Sequence, residues 1–155
     1  MYKIEGKRTL VAGASGFLGT WLIEKLLDRC ADVTGASTSG IQTNFPDLRM
    51  LSADLRNFQE AEAVMEGIEA LVIASAVTSG AQVMESNPLA HLFDNNLMNS
   101  ALLRAAVQRH VERVVFISSS TVYPVGSWAM SEDDVDGSFF HKYEVVASMK
   151  LATEG

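Results

Sequence analysis

Apolar residues in this chain fall into short, nearly continuous runs, and stretches of helical periodicity separate one run from the next. Arg8 to Ala14, centred on Leu10, Val11 and Ala12, alternates too little for a half-exposed strand and reads as one buried on both faces. Behind it Phe17, Leu18, Trp21, Leu22 and Leu26 recur at helical spacing and predict an amphipathic helix. Ala31 to Ser37 reads as a second strand, and the Ser/Thr/Gly-rich run from Ser37 to Thr43 as a loop. Leu48 to Ala53 is a third strand. Asn57 with Glu60 three residues on has the form of a capping box, opening a helix that ends at Gly67. Ala70 to Ala76 is a fourth, fully apolar strand. Pro88 suits the first turn of a long helix running to about Arg109, with Leu92, Leu97 and Leu103 among its apolar residues. Val114 to Ser118 supplies a fifth strand. Strands separated by helices imply an α/β chain with a doubly wound parallel sheet and right-handed crossovers.

Composition narrows what such a fold serves. At 155 residues and 48% hydrophobic content the chain buries one substantial core, and a single domain over 1–155 is expected. Twelve basic against 19 acidic side chains give a net charge of −7, and no basic run occurs, which argues against nucleic acid or an anionic membrane as partner. A small anionic ligand remains compatible, because backbone amides bind phosphate without side-chain charge. The single cysteine, Cys30, makes no internal disulfide, and its place at the end of an apolar helix predicts burial. No signal peptide, membrane-length apolar run or internal repeat is read, no metal site is assigned, and the expected compartment is the cytoplasm.

The segment joining the first strand to the first helix carries the strongest chemical signal. Gly13-Ala14-Ser15-Gly16-Phe17-Leu18-Gly19 sets three glycines at a strand-to-helix turn. Gly13 permits a tight turn, Gly16 lets backbone approach a pyrophosphate, and Gly19 lets the helix pack closely on the strand, with helix N–H groups offered to the anion. A lone glycine motif is weak, since any tight turn uses glycine; here the flanking strand and helix supply the required context. This G-x-x-G-x-x-G spacing followed by Phe-Leu resembles the extended short-chain dehydrogenase/reductase family.

Other segments extend the resemblance. At the end of the second strand, where an acid selects NAD, stand Ser37, Thr38 and Ser39. Hydroxyls accept a 2′-phosphate without repelling it, which tilts the choice toward NADP over NAD, although no arginine sits beside them and a merely polar loop reads the same. Asp54-Leu55 resembles the family's acidic-apolar pair at the adenine ring, and a lone turn-forming Asp is the alternative. Ala74-Ser75-Ala76 stands where the family has a small-residue run under the cofactor. Val77-Thr78-Ser79-Gly80, Asn87-Pro88 and Asn95 look like the GDP-L-fucose synthases and their sugar-nucleotide relatives; a helix asparagine that only bonds nearby backbone has the same appearance. Val115 to Pro124 resembles the strand-five signature, by which Ser119 would hydrogen-bond the sugar and Thr121 would assist it.

One motif breaks. The family carries Tyr-x-x-x-Lys on a helix, a spacing that puts both side chains on one face so that the ammonium assists proton transfer by the phenol. Lys150, which by the resemblance also holds the nicotinamide ribose, has Val146 four residues before it. Tyr143 is seven residues before Lys150, about two turns away, and reaches the usual place only through an irregular segment. The resemblance implies a Rossmann-type NAD(P)-binding portion of a nucleotide-sugar epimerase, dehydratase or reductase without a C-terminal substrate domain. It further implies hydride transfer, a nucleotide-sugar substrate if the chain is part of a longer protein, and a possible homodimer. The alternatives are a non-catalytic dinucleotide-binding or redox-sensing module that has lost the tyrosine, and a ligand-free interaction domain.

Overall fold

A computed structural model describes residues 2–39, 45, 47–78, 81–87, 89 and 91–155. The expectations placed on Gly40 to Thr43, Ser79, Gly80 and Pro88 lie outside the described residues. Five parallel strands form one sheet in the order β3-β2-β1-β4-β5: β1 Arg8–Ala12, β2 Asp32–Ser37, β3 Arg49–Ser52, β4 Ala70–Ile73 and β5 Arg113–Phe116. The helices are α1 Phe17–Asp28, α2 Phe58–Val64, α3 Ala81–Ser86, α4 Leu92–Gln108 and α5 Glu144–Glu154. This is the Rossmann-like α/β fold expected. Each strand is shorter than its apolar run, because pairing ends where the neighbouring strand ends; Ala12 pairs with Ala36 and Ile73, and the chain turns away at Gly13.

The residues fall into two compact units, Met1–Ala76 with Leu97–Ile117, and Val77–Asn96 with Ser118–Gly155. In the first, successive strand residues feed opposite layers. Leu10, Ala12, Leu71 and Ile73 pack with α2 and with Met98, Leu102 and Ala105 of α4. Val11, Val33 and Val72 pack with Ala14 and Ile23 on the α1 side. Helix α1 presents Gly19 and Ile23, one turn apart, as its buried residues, while Phe17 is 80% exposed and Trp21 53%. The predicted apolar face of α1 is therefore rotated: Leu22 and Leu26 pack inward, but Phe17, Leu18 and Trp21 face out. Leu97 is likewise exposed, and Met98, Ala101, Leu102 and Ala105 of α4 take the core in its place.

Two further expectations are corrected by local hydrogen bonding. Cys30 is exposed at φ 56°, where Cys30 N–H bonds Leu27 O and Ala31 N–H bonds Leu26 O. That pair of bonds closes a Schellman motif, so the helix end turns Cys30 outward in a left-handed conformation that usually belongs to glycine. His110, at φ 56°, ends α4 in the same way. Asn57 caps α2 as expected, accepting from the Gln59 and Glu60 amides. The return bond of a capping box is missing, because Glu60 accepts instead from Asp54 N–H at 2.7 Å.

In the second unit α5 packs on the 3-10 turn Ser120–Val122, with Ala147 and Met149 buried. No helix among the described residues is long and apolar enough to cross a membrane.

An ion cluster joins the amino ends of three strands. Lys7 Nζ stands 2.9 Å from both Glu69 and Glu112, and Arg8 Nε lies 3.1 Å from Glu69. The hydrogen bond from Lys7, with the backbone and side chain of Arg8, lowers the Glu69 carboxyl from 4.5 to about 2. A carboxyl depressed on folding stabilises the fold above its unfolded value and loses that contribution as pH falls toward the folded one. In urea titrations the stability difference between wild type and Glu69→Gln is expected to be full above about pH 4.5. It shrinks to nothing near pH 2, and a difference independent of pH would show that Glu69 is not held this way.

Candidate functional site

Parallel pairing collects the carboxyl ends of β1 to β4 along one edge of the first unit. Gly13 and Ala14 N–H both bond Ala36 O, at 2.9 and 3.1 Å, and Ala74 N–H bonds Ala12 O at 3.0 Å. These bonds bring Gly13, the end of β2 and the end of β4 together. The three glycines then divide the work. Gly13 has φ +85°, and a Cβ there would stand 2.6 Å from the Ser75 backbone. Gly19 lies so close to β1 that a Cβ would overlap Gly13 O and meet Ala14 Cα at 2.9 Å. Gly16 is different. Its φ is −77°, so no left-handed conformation is required of it, and an added Cβ would meet only Gly13 O at 3.2 Å.

Gly16 is the N-cap of α1 and, having no side chain, leaves the first-turn N–H groups without the cap that Asn57 gives α2. Such a terminus binds an anion through unpaired N–H groups and the helix dipole. Ser15, Phe17 and Leu18 around it are exposed, and Ser15 Oγ lies 3.4 Å from Ser39 Oγ.

Two buried hydroxyls stand without a partner at the same edge, Ser37 Oγ at the end of β2 and Ser75 Oγ after β4. A buried hydroxyl without a partner costs free energy on the order of 1–3 kcal/mol, which a ligand oxygen or amide in reach recovers. Ser37 itself is buried, so Thr38 and Ser39 are the exposed hydroxyls of this segment. The cradle and the unpaired hydroxyls fit a dinucleotide.

Asp54 is locally engaged. Its carboxylate takes a two-pronged contact from Arg56, at 2.9 and 2.8 Å, and the Arg56 side chain holds its carboxyl below the usual range. Leu55 belongs to the core. Ala74 and Ser75 are half-buried and Ala76 is exposed. Two cavities among the described residues, one of about 170 Å³ beside Thr34 and Leu51 and one of about 380 Å³ beside Leu27 and Val33, contain none of these groups.

In the second unit Asn95 is buried and grips Val77 from both sides. Its Oδ1 accepts from Val77 N–H and its Nδ2 donates to Val77 O, both at 2.9 Å, while His91 Nδ1 also meets Val77 O at 2.9 Å. The asparagine thus bonds neighbouring backbone, and His91, four residues earlier and immediately before α4, was not singled out from the sequence; its spacing of four from Asn95 is the available signal. Ser119 Oγ accepts from both Thr121 N–H and Thr121 Oγ1, at 3.2 and 3.0 Å. Its own proton is left to donate, which gives Thr121 its supporting place beside Ser119.

Regular α5 begins only at Glu144, so Val146 occupies the position one turn before Lys150. Tyr143 sits in the preceding 3-10 turn with φ −114° and ψ 6°, its ring tilted against Phe140 at 5.8 Å. The irregular segment exists, but it ends before the helix and takes Tyr143 off the helical path. Lys150 is half-buried, and burial lowers its pKa.

A parallel sheet with a glycine cradle at its carboxyl edge defines a dinucleotide-binding α/β protein. The family model for the NAD dependent epimerase/dehydratase family matches residues 9–154, and the chain belongs to that family. It is 26% identical over 126 residues to a GDP-L-fucose synthase of Sinorhizobium fredii, covering 80% of this chain and 36% of the relative. Among solved structures, a GDP-mannoheptose C4 reductase from Campylobacter jejuni with NADP bound has TM-score 0.79 at 18% identity, covering 99% of this chain and 46% of that one. A UDP-glucose 4-epimerase of Thermus thermophilus in complex with NAD has TM-score 0.78 at 24% identity, covering 95% and 48%. The chain thus spans less than half the length of these relatives.

The glycines separate folding from binding. Gly13→Ala and Gly19→Ala are expected to destabilise by about 2 kcal/mol or more in urea titrations, through left-handed strain in the first and backbone overlap in the second. Gly16→Val should cost only about 1 kcal/mol of stability yet weaken NAD or NADP about tenfold or more in calorimetric titration. Undiminished affinity in folded Gly16→Val would remove Gly16 from the site.

Proposed function

We propose that this chain is the NAD(P)-binding portion of a nucleotide-sugar epimerase, dehydratase or reductase that works by hydride transfer. The observation carrying the reading is the cradle: a positive-φ Gly13 and an uncapped α1 opening on a side-chain-free Gly16, at the carboxyl edge of a parallel sheet. The relatives' names, which include a GDP-L-fucose synthase and a UDP-glucose 4-epimerase, support the substrate class.

In this reading the backbone of Gly13, Ser15, Gly16, Phe17, Leu18 and Gly19 holds the pyrophosphate. Thr38 and Ser39, beside Ser37, meet the adenosine ribose, Asp54 and the Leu55 backbone border the adenine, and small Ala74, Ser75 and Ala76 leave room above β4. Asn95 shapes the segment after β4 through Val77, and Lys150 hydrogen-bonds the nicotinamide ribose. A bound nicotinamide supplies the chemistry, exchanging a hydride at C4 with a sugar carbon. Ser119 donates its remaining proton to a sugar oxygen, and Thr121 fixes the direction of that donation because it already fills the oxygen's acceptor side.

NADP is the favoured cofactor, since no acid stands at Ser37, Thr38 or Ser39 to repel a 2′-phosphate. Thr38→Asp places a charge at the exposed position of that segment and should shift the ratio of the two affinities toward NAD by about 1 kcal/mol. An unchanged ratio in calorimetry would mean that this edge does not read the ribose.

Val146 favours a second reading, a non-catalytic NAD(P)-binding or redox-sensing module, because valine has no proton to transfer. Titration with both cofactors, followed by assay on nucleotide-sugars, separates the two. The chain is expected to bind cofactor and to turn over slowly, since a missing general acid/base costs about 10²–10⁴-fold. Tyr143→Phe should leave any residual rate in place. Binding of neither cofactor defeats both readings, and robust turnover abolished by Tyr143→Phe would make Tyr143 the proton donor.

A further inference from the structure

Thr20 ties the glycine turn to α1 with a hydroxyl that the cofactor reading does not use. Its Oγ1 donates to Gly16 O at 3.0 Å and also faces Ala14 O at 3.4 Å, so one proton serves two carbonyls of the turn. A threonine that bonds the carbonyl four residues back is ordinary in a helix. Ala14 is a different kind of partner, since it lies six residues back, before the helix begins at Phe17. It is fully buried, its N–H bonds Ala36 O of β2 at 3.1 Å, and Thr20 is the donor that the described residues offer its carbonyl. Ala14 is thereby pinned to β2 on one side and to α1 on the other.

A planar trans peptide points its N–H away from its C=O. Holding Ala14 O toward the helix therefore turns Ser15 N–H outward, and holding Gly16 O does the same for Phe17 N–H. No acceptor among the described residues takes either amide, and both residues are exposed. We propose that Thr20 is a positioning residue of the cradle, whose hydroxyl fixes these two peptides so that the Ser15 and Phe17 N–H groups face a bound pyrophosphate. The proposal rests on the reading that the cradle holds a dinucleotide. The two peptides depend on Thr20 unequally. Gly16 O also accepts from Thr20 N–H at 3.0 Å, a backbone bond that a substitution at this position keeps, whereas Ala14 O has only the hydroxyl among the described residues. The effect of the side chain is thus concentrated on the Ser15 amide.

Thr20→Val keeps the branched Cβ and removes the hydroxyl, while Thr20→Ser keeps the hydroxyl and removes a methyl. Calorimetry with NADP and NAD on the whole chain is expected to show about fivefold weaker binding in Thr20→Val, the contribution of one hydrogen bond, and affinity within about twofold of wild type in Thr20→Ser. NMR relaxation of the backbone amides, without added cofactor, follows the turn itself. The Ser15 order parameter should fall in Thr20→Val, that of Phe17 should change less, and both should return in Thr20→Ser. Urea titration checks that each variant is folded. Folded Thr20→Val that binds as wild type does, or Thr20→Ser that binds no better than Thr20→Val, overturns the proposal. If the wild-type chain binds neither cofactor, the dinucleotide reading fails and the relaxation data decide the role of Thr20. A fall at Ser15 in Thr20→Val then upholds its hold on the turn, and an unchanged value overturns it.

Discussion

Everything at the candidate cofactor edge depends on how closely α1 approaches the end of β1. The helix can start where it does only because Gly19 carries no side chain against the Gly13 carbonyl and Ala14. That contact fixes the helix over the β1–β2 face, with Ile23 one turn along locking into the core. Once α1 is placed, its amino end lies at the sheet edge, and the turn joining them is forced into the left-handed conformation that Gly13 adopts. The arrangement is over-determined by backbone, which is why side chains contribute so little charge to it.

The second unit is organised by polar contacts instead. Asn95 and His91 converge on one residue, Val77, and Ser118 reaches Glu154 on α5. These bonds hold loop segments that have few apolar anchors of their own, Val122, Ala147 and Met149 being buried there. A valine at position 146 lies within regular α5 and brings no group that transfers a proton.

Much of the first unit was legible in the sequence because it is local. The parallel sheet followed from the alternation of elements, and the tasks of Gly13 and Gly19 from their place at a strand-to-helix turn, whereas the strand order is given by the structure alone. What failed was decided by geometry that periodicity does not carry. The apolar residues of α1 span more of the helix than the sheet covers, and glycine spacing, rather than hydrophobicity, chose the buried face, leaving Phe17 and Trp21 outside. Cys30 was placed inside by its type and turned outside by a helix-ending motif whose bonds are made entirely by backbone. Asn57 was read correctly as the cap of α2 by its spacing, but Glu60, expected to return the bond, accepts from Asp54 N–H instead. Contacts such as Ser118 with Glu154 join residues too far apart in sequence for any spacing rule to pair them.

The grip of Asn95 on Val77 imitates, with one side-chain amide, the two hydrogen bonds that a neighbouring strand would make. Val77 stands outside any strand, yet both its backbone groups are engaged by a buried side chain. Its amide hydrogen is consequently sheltered from solvent as a strand residue's would be. Exchange there requires the first turn of α4 to release Asn95, so the kinetics of this loop residue report on the fraying of a helix rather than on the loop's own motion.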